Sequence, residues 1–111
     1  MQVTKKDTYT ILADDHNDVI AFAKHLERAV PGNFEHLNLV IDLLKYEALK
    51  LEELVHFIKL SNYQRAGKKS YVLVNTGINF DLVPDEMVVV PTLTEAEDIV
   101  QMEEIERDLG F

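Results

Sequence analysis

Hydrophobic residues fall into short β-forming runs separated by stretches of helical spacing. The runs lie at 8–13 (TYTILA), 37–43 (LNLVIDL), 71–74 (YVLV) and 87–90 (MVVV), with a shorter candidate edge strand at 1–5. Val19, Phe22, Ala23, Leu26 and Val30 recur at helical spacing and predict a first helix, ended by Pro31-Gly32-Asn33. Asp14-Asp15-His16-Asn17 offers N-cap chemistry before it. A second helix is predicted over 50–66, burying Leu51, Leu54, Val55 and Ile58, with Phe57 and Leu60 widening its apolar face and Gly67 as the C′ residue. Residues 78–86 read as a loop, because Pro84 discourages helix. Thr94 with Glu97 reads as a capping box for a last helix reaching Leu109.

Apolar strands joined by helices in this order predict an α/β domain. Its sheet is expected to be mixed or parallel, with four to five strands and about three helices. No repeat, linker or low-complexity tract breaks the 111 residues. One domain over 1–111 is therefore expected, with its core at 8–100 and an acidic helix at 94–109.

Charge narrows the partners. With 20 acidic and 11 basic residues the net charge is −9, which opposes binding to nucleic acid backbones and to anionic membranes. The absence of cysteine excludes disulfides, Cys-ligated zinc and thiol catalysis. The N-terminus lacks the apolar core of a signal peptide, and no run is long enough to span a bilayer, so a soluble cytoplasmic chain is expected. The last helix carries Glu95, Glu97, Asp98, Glu103, Glu104, Glu106 and Asp108 against a single Arg107, and reads as a solvated face.

Chemistry is sparse. His16, His25, His36 and His56 have no compact metal-ligand spacing, and no H-x-H-x-D-H run supports a metallo-β-lactamase-type nuclease. The glycines are isolated, so no phosphate loop is present. Ser61 and Ser70, the only serines, suggest no nucleophile–base pair. Asp14-Asp15-His16 follows a strand, where α/β sheets host sites, but reads first as helix-capping chemistry. Asn75-Thr76-Gly77 reads as a turn, and Asp42 as a carboxylate tied to backbone amides at a strand end. No catalytic residue, cofactor or metal ligand is assigned.

From these residues a resemblance emerges. Asp42-Leu43, the apolar Tyr46, the helix residue Leu54, the turn and strand RAGKKSYVLV over 65–74, and VVPTLTEAE over 89–97 together resemble the STAS domain family. Its founding members are bacterial anti-anti-sigma factors. The likeness covers 8–100 and implies a regulatory fold that acts through protein contact. The family's phosphorylatable serine falls at Leu51 or Glu52, neither phosphorylatable, and Glu53 stands where the family has glycine. Either the switch is lost, or the fixed charge of Glu52 and Glu53 replaces the roughly two negative charges that phosphate would bring.

The resemblance implies a non-enzymatic interaction domain, monomeric or weakly dimeric. Its protein partner would meet Tyr46, Lys50, Glu52, Glu53 and His56. Two alternatives stand beside it. One is an accessory subunit of a hydrolase or nuclease, such as a neighbour of ribonuclease Z, without catalytic residues of its own. The other is small-ligand binding in a crevice near Asp14, Lys45 and Asn75.

Overall fold

The computed structural model describes residues 1–110. Five strands form one sheet in sequence order: β1 (Gln2–Lys5), β2 (Thr10–Ala13), β3 (Leu39–Asp42), β4 (Tyr71–Val74) and β5 (Val88–Val90). β1 pairs antiparallel to β2, and the remaining pairs are parallel, so the sheet is mixed. Each parallel step requires a crossover. The first is α1 (Val19–Ala29); the second is α2 (Leu51–Leu54) and α3 (Ile58–Ala66), joined by a 3₁₀ turn at Val55–Phe57 into one helical body. The third is a loop with a 3₁₀ turn at Phe80–Leu82, and α4 (Leu93–Asp108) closes the chain. An α/β fold with three helical bodies is therefore correct.

Register sorts the strand residues into two faces. The row Leu12, Ile41, Leu73 and Val89 packs with α1 and the second helical body, around Phe22, Leu26, Leu54 and Phe57. The alternate row Ile11, Val40, Val72 and Val88 packs with Ala96 and Val100 of α4. Phe22 and Phe57 meet edge to face, with centroids 6.4 Å apart. Because β3 and β4 are covered on both faces, they read as continuous apolar runs rather than alternating ones. β1 is exposed throughout, and its polar Gln2, Thr4 and Lys5 suit an open edge.

Several local expectations are corrected. Leu54, Phe57 and Leu60 are buried, but Val55 is 39% exposed and Leu51 and Ile58 only half-buried. The buried positions are 54, 57, 60, 61 and 64, a stripe at helical spacing that lies beside the 51/55/58 stripe. The cap of α1 is Asp18, whose carboxylate accepts the Ala21 N–H at 3.0 Å, not the 14–17 segment, because the helix starts only at Val19. α4 is capped by Thr92, two residues before Thr94, whose hydroxyl accepts the Glu95 N–H at 3.1 Å. After α3 the left-handed residue is Lys68 (φ 62°) rather than Gly67 (φ −82°). The 78–86 loop contains the 3₁₀ turn, capped by Asn79 Oδ1 on the Asp81 N–H.

The choice of buried stripe has a direct test. Phe57→Ala should cost about 3–5 kcal/mol in urea unfolding, as loss of a buried aromatic does. Val55→Ala should stay within about 0.5 kcal/mol, as at an open surface. Comparable costs at the two positions would contradict the packing of this helical body.

Candidate functional site

The parallel strands β2, β3 and β4 deliver Asp14, the 43–49 loop and Asn75 to the carboxyl edge of the sheet, where open α/β sheets place their sites. Asn75 is fully buried. Its Nδ2 donates to the carbonyls of Leu43 and Tyr46 at 2.9 and 2.8 Å, and its Oδ1 accepts from the amides of Gly77 and Ile78 at 2.9 and 3.0 Å. Two donors and two lone pairs exhaust the amide. The side chain thus fastens the 43–49 loop to the 75–78 turn. Gly77 makes that approach possible: a Cβ there would lie 2.0 Å from the Glu47 carbonyl oxygen. The turn reading of Asn75-Thr76-Gly77 is correct, and so is that of Asp42, whose Oδ1 accepts the Leu44 N–H at 3.0 Å.

Asp14 is 9% exposed. Its carboxylate accepts the His16 N–H at 3.0 Å and the Tyr46 hydroxyl. Burial works against its charge, but the Tyr46 hydroxyl, the His16 amide and the nearby Lys45 outweigh burial and hold its pKa below the ordinary value. Burial, reinforced by Asp14, pushes the Tyr46 hydroxyl well above the usual tyrosine range. Lys45 donates to the His16 carbonyl and lies 5.5 Å from the Tyr46 ring centroid. An ionised carboxylate paired with a protonated phenol suits tethering better than proton transfer near neutral pH. Asp14 lines a cavity with Asp15, His16, Asp18 and His25, but Lys45 and Asn75 do not line it, and the polar atoms of all three bind the protein.

Asp14, Asp15 and His16 present ligand atoms within 4.8 Å of one another, the one such group among the described residues. Asp15 meets the Met1 ammonium at 2.8 Å and His16 Nδ1 at 2.8 Å. The ammonium is the main reason its carboxyl is pulled down to about 2. A cation held here would compete with that ammonium and with the Tyr46 hydroxyl. His25, His36 and His56 are exposed and join no such group among the described residues.

The five expected interface residues lie along the 43–49 loop and the start of the second helical body, and they differ in freedom. Lys50, Glu52 and His56 are exposed. Tyr46 is half-buried with its hydroxyl on Asp14. Glu53 is half-buried, and its Oε1 accepts the Lys50 N–H at 2.9 Å. Lysine has no acceptor, so only the Glu53 half of a capping box exists there. Both serines are fully buried: Ser61 Oγ donates to the Glu86 carbonyl at 3.0 Å, and Ser70 Oγ accepts from Arg107 at 3.1 Å.

At the opposite, amino edge lies a polar cluster that residue patterns did not single out. Asn38 Nδ2 donates to the Thr8 carbonyl at 3.0 Å and to Glu104 at 2.6 Å, while its Oδ1 accepts from the Ser70 N–H at 2.9 Å and from Arg107 at 3.2 Å. Arg107 also reaches Glu104 at 2.9 Å, and Arg65 holds Glu103 at 3.1 Å and the Tyr71 carbonyl at 3.0 Å. Glu104 is held below the ordinary carboxylate value, first by Asn38 and then by Arg107. The solvated-face reading of α4 is thus corrected at Glu103 and Glu104, which are half-buried and pin the helix to the sheet edge. The signals were a lone Arg107 in an acidic helix and a polar Asn38 inside an apolar run.

No protein-family model matches the chain, and a search of curated proteins finds no match.

Asn75→Ala strips partners from four backbone groups and should lower stability by about 3 kcal/mol in urea unfolding. A loss below about 1 kcal/mol would refute its fastening role. The lowered Asp14 pKa gives a pH signature. Its stabilising effect is complete above the unfolded value near about 4 and is lost as pH falls through the lower folded value. Tyr46→Phe should therefore flatten the fall of the urea midpoint between pH about 5 and about 2. An unchanged slope would show that this hydrogen bond does not depress Asp14.

Proposed function

We propose that the chain is a non-enzymatic STAS-like interaction module that works without phosphorylation. Its partner meets the 43–49 loop and the first turns of the second helical body. One observation carries this reading: the polar groups at the carboxyl strand ends are engaged in fastening loops, while Lys50, Glu52, Val55 and His56 stand exposed beside them. Val55, 39% exposed, gives this rim an apolar contact that a merely solvated helix start does not need. The sheet order is compatible with such a domain. At the position where the resemblance places a regulated charge, Glu52 supplies a permanent one at the start of a helix, where negative charge is favoured. The module is then always in one electrostatic state, and control would lie in the partner's supply.

The test uses tagged full chain on native lysate, read by quantitative mass spectrometry. Glu52→Lys combined with Val55→Asp should reduce recovery of the specific partner at least about tenfold, as loss of a central contact pair does. Glu53 is left intact because it caps the helix. Circular dichroism should be unchanged. The same partners recovered at the same yield would remove this surface from the proposal.

A further inference from the structure

The amino edge of the sheet carries a feature outside the proposed interaction surface. Arg65, Lys68, Lys69 and Arg107 line an open cavity of about 230 Å³ together with Glu103 and Glu106. A chain of net charge −9, with 11 Lys and Arg in all, gathers four of those cations here. Glu104, which Arg107 holds at 2.9 Å, adds a third carboxylate, so the four cations leave a local surplus of one positive charge.

The cations start from fixed points. Arg65 is oriented by Glu103 and by the Tyr71 carbonyl, and Arg107 by Asn38, Ser70 and Glu104 through Nη2 alone. A guanidinium has five N–H donors, so Nε and Nη1 of Arg107 keep theirs while the head is held in place. The turn bearing the lysines is closed by Lys68 N–H on the Arg65 carbonyl and Lys69 N–H on the Gln64 carbonyl, both at 3.0 Å. Neither lysine forms an ion pair among the described residues. The two arginines are paired with Glu103 and Glu104, and the two lysines add ammonium charge beside them that Glu106 only half offsets, which favours a negative ligand in the cavity.

We propose that this cavity binds the phosphate group of a small phosphomonoester. Such a group carries roughly −1.5 to −2 charges near neutral pH and three acceptor oxygens, more than a carboxylate offers to the guanidinium donors and the two ammonium groups. Oriented guanidinium donors with flanking ammonium charges are the chemistry that recognises phosphate. The cavity has room for a phosphate and a few carbons, and the net charge of −9 opposes approach to a bilayer or a nucleic acid.

The experiment titrates ¹⁵N-labelled full chain with glycerol 3-phosphate and follows amide shifts, with acetate at equal ionic strength as control. Saturable shifts confined to 65–70 and 103–107 are expected, with none from acetate. Lys68→Gln combined with Lys69→Gln should weaken binding about tenfold. Glu106→Gln should tighten it, and Lys24→Gln, which lines no part of the cavity, should leave it unchanged. Unaltered spectra away from the cavity establish that each variant is folded. Absence of saturation, equal shifts from acetate, or an equal loss with Lys24→Gln would overturn the proposal. Binding to phosphatidylserine vesicles without binding to glycerol 3-phosphate would overturn it in favour of a lipid surface.

Discussion

Burial of β3 and β4 on both faces is the constraint from which the rest follows. All of β4, and all of β3 up to Asp42, is withdrawn from water. Strands without a free face must be covered twice, which requires α1 and the second helical body on one side and α4 on the other. Such strands can present polar groups only at their ends. Whatever this protein recognises, the sheet itself offers two narrow edges and the loops that flank them.

The two edges solve the same problem differently. At the carboxyl edge a neutral amide, Asn75, and a carboxylate–phenol pair, Asp14 with Tyr46, join loops to strand ends. At the amino edge the amide of Asn38 is joined by Arg65, Arg107 and two glutamates. In both places most partners are far apart in sequence, so these bonds close long loops and rigidify the edges they occupy. An atom spent on such a bond is no longer free for a ligand, though a guanidinium held through one nitrogen keeps its other donors. The groups left over lie on the rims: Lys50, Glu52 and His56 at one edge, Lys68 and Lys69 at the other.

Charge distribution sharpens the contrast between the rims. The chain is strongly acidic as a whole, yet its cations cluster around the turn between α3 and β4 and the last turn of α4. The helix start at the opposite edge carries Glu52 and Glu53, one exposed and one capping. One domain of modest size thus offers two surfaces at opposite ends of its strands, one of mixed charge with Lys45 and Lys50 beside Glu52 and Glu53, the other richer in cations. They would not compete for the same partner.

The strands, the crossovers and the division into three helical bodies were legible in the chain, because period-two and period-3.6 burial are local properties that hydrophobic residues report directly. Asp42 as a strand-end tether and Asn75-Thr76-Gly77 as a turn were legible for the same reason: each acts on backbone within three residues. Which stripe the second helical body buries was not, since 51/55/58 and 54/57/61 both recur at helical spacing and only packing such as that of Phe57 on Phe22 chooses between them. The partner of Asp14 was not legible either, because Tyr46 lies 32 residues away. The cation cluster at the amino edge was hidden likewise: Arg65 and Arg107 are brought together only when α3 and α4 reach the same end of the sheet from opposite faces. Sequence determined which elements form and most of the residues they bury, Val55 being an exception. The tertiary structure alone decided which polar side chains meet, because those meetings depend on long-range register that no local pattern encodes.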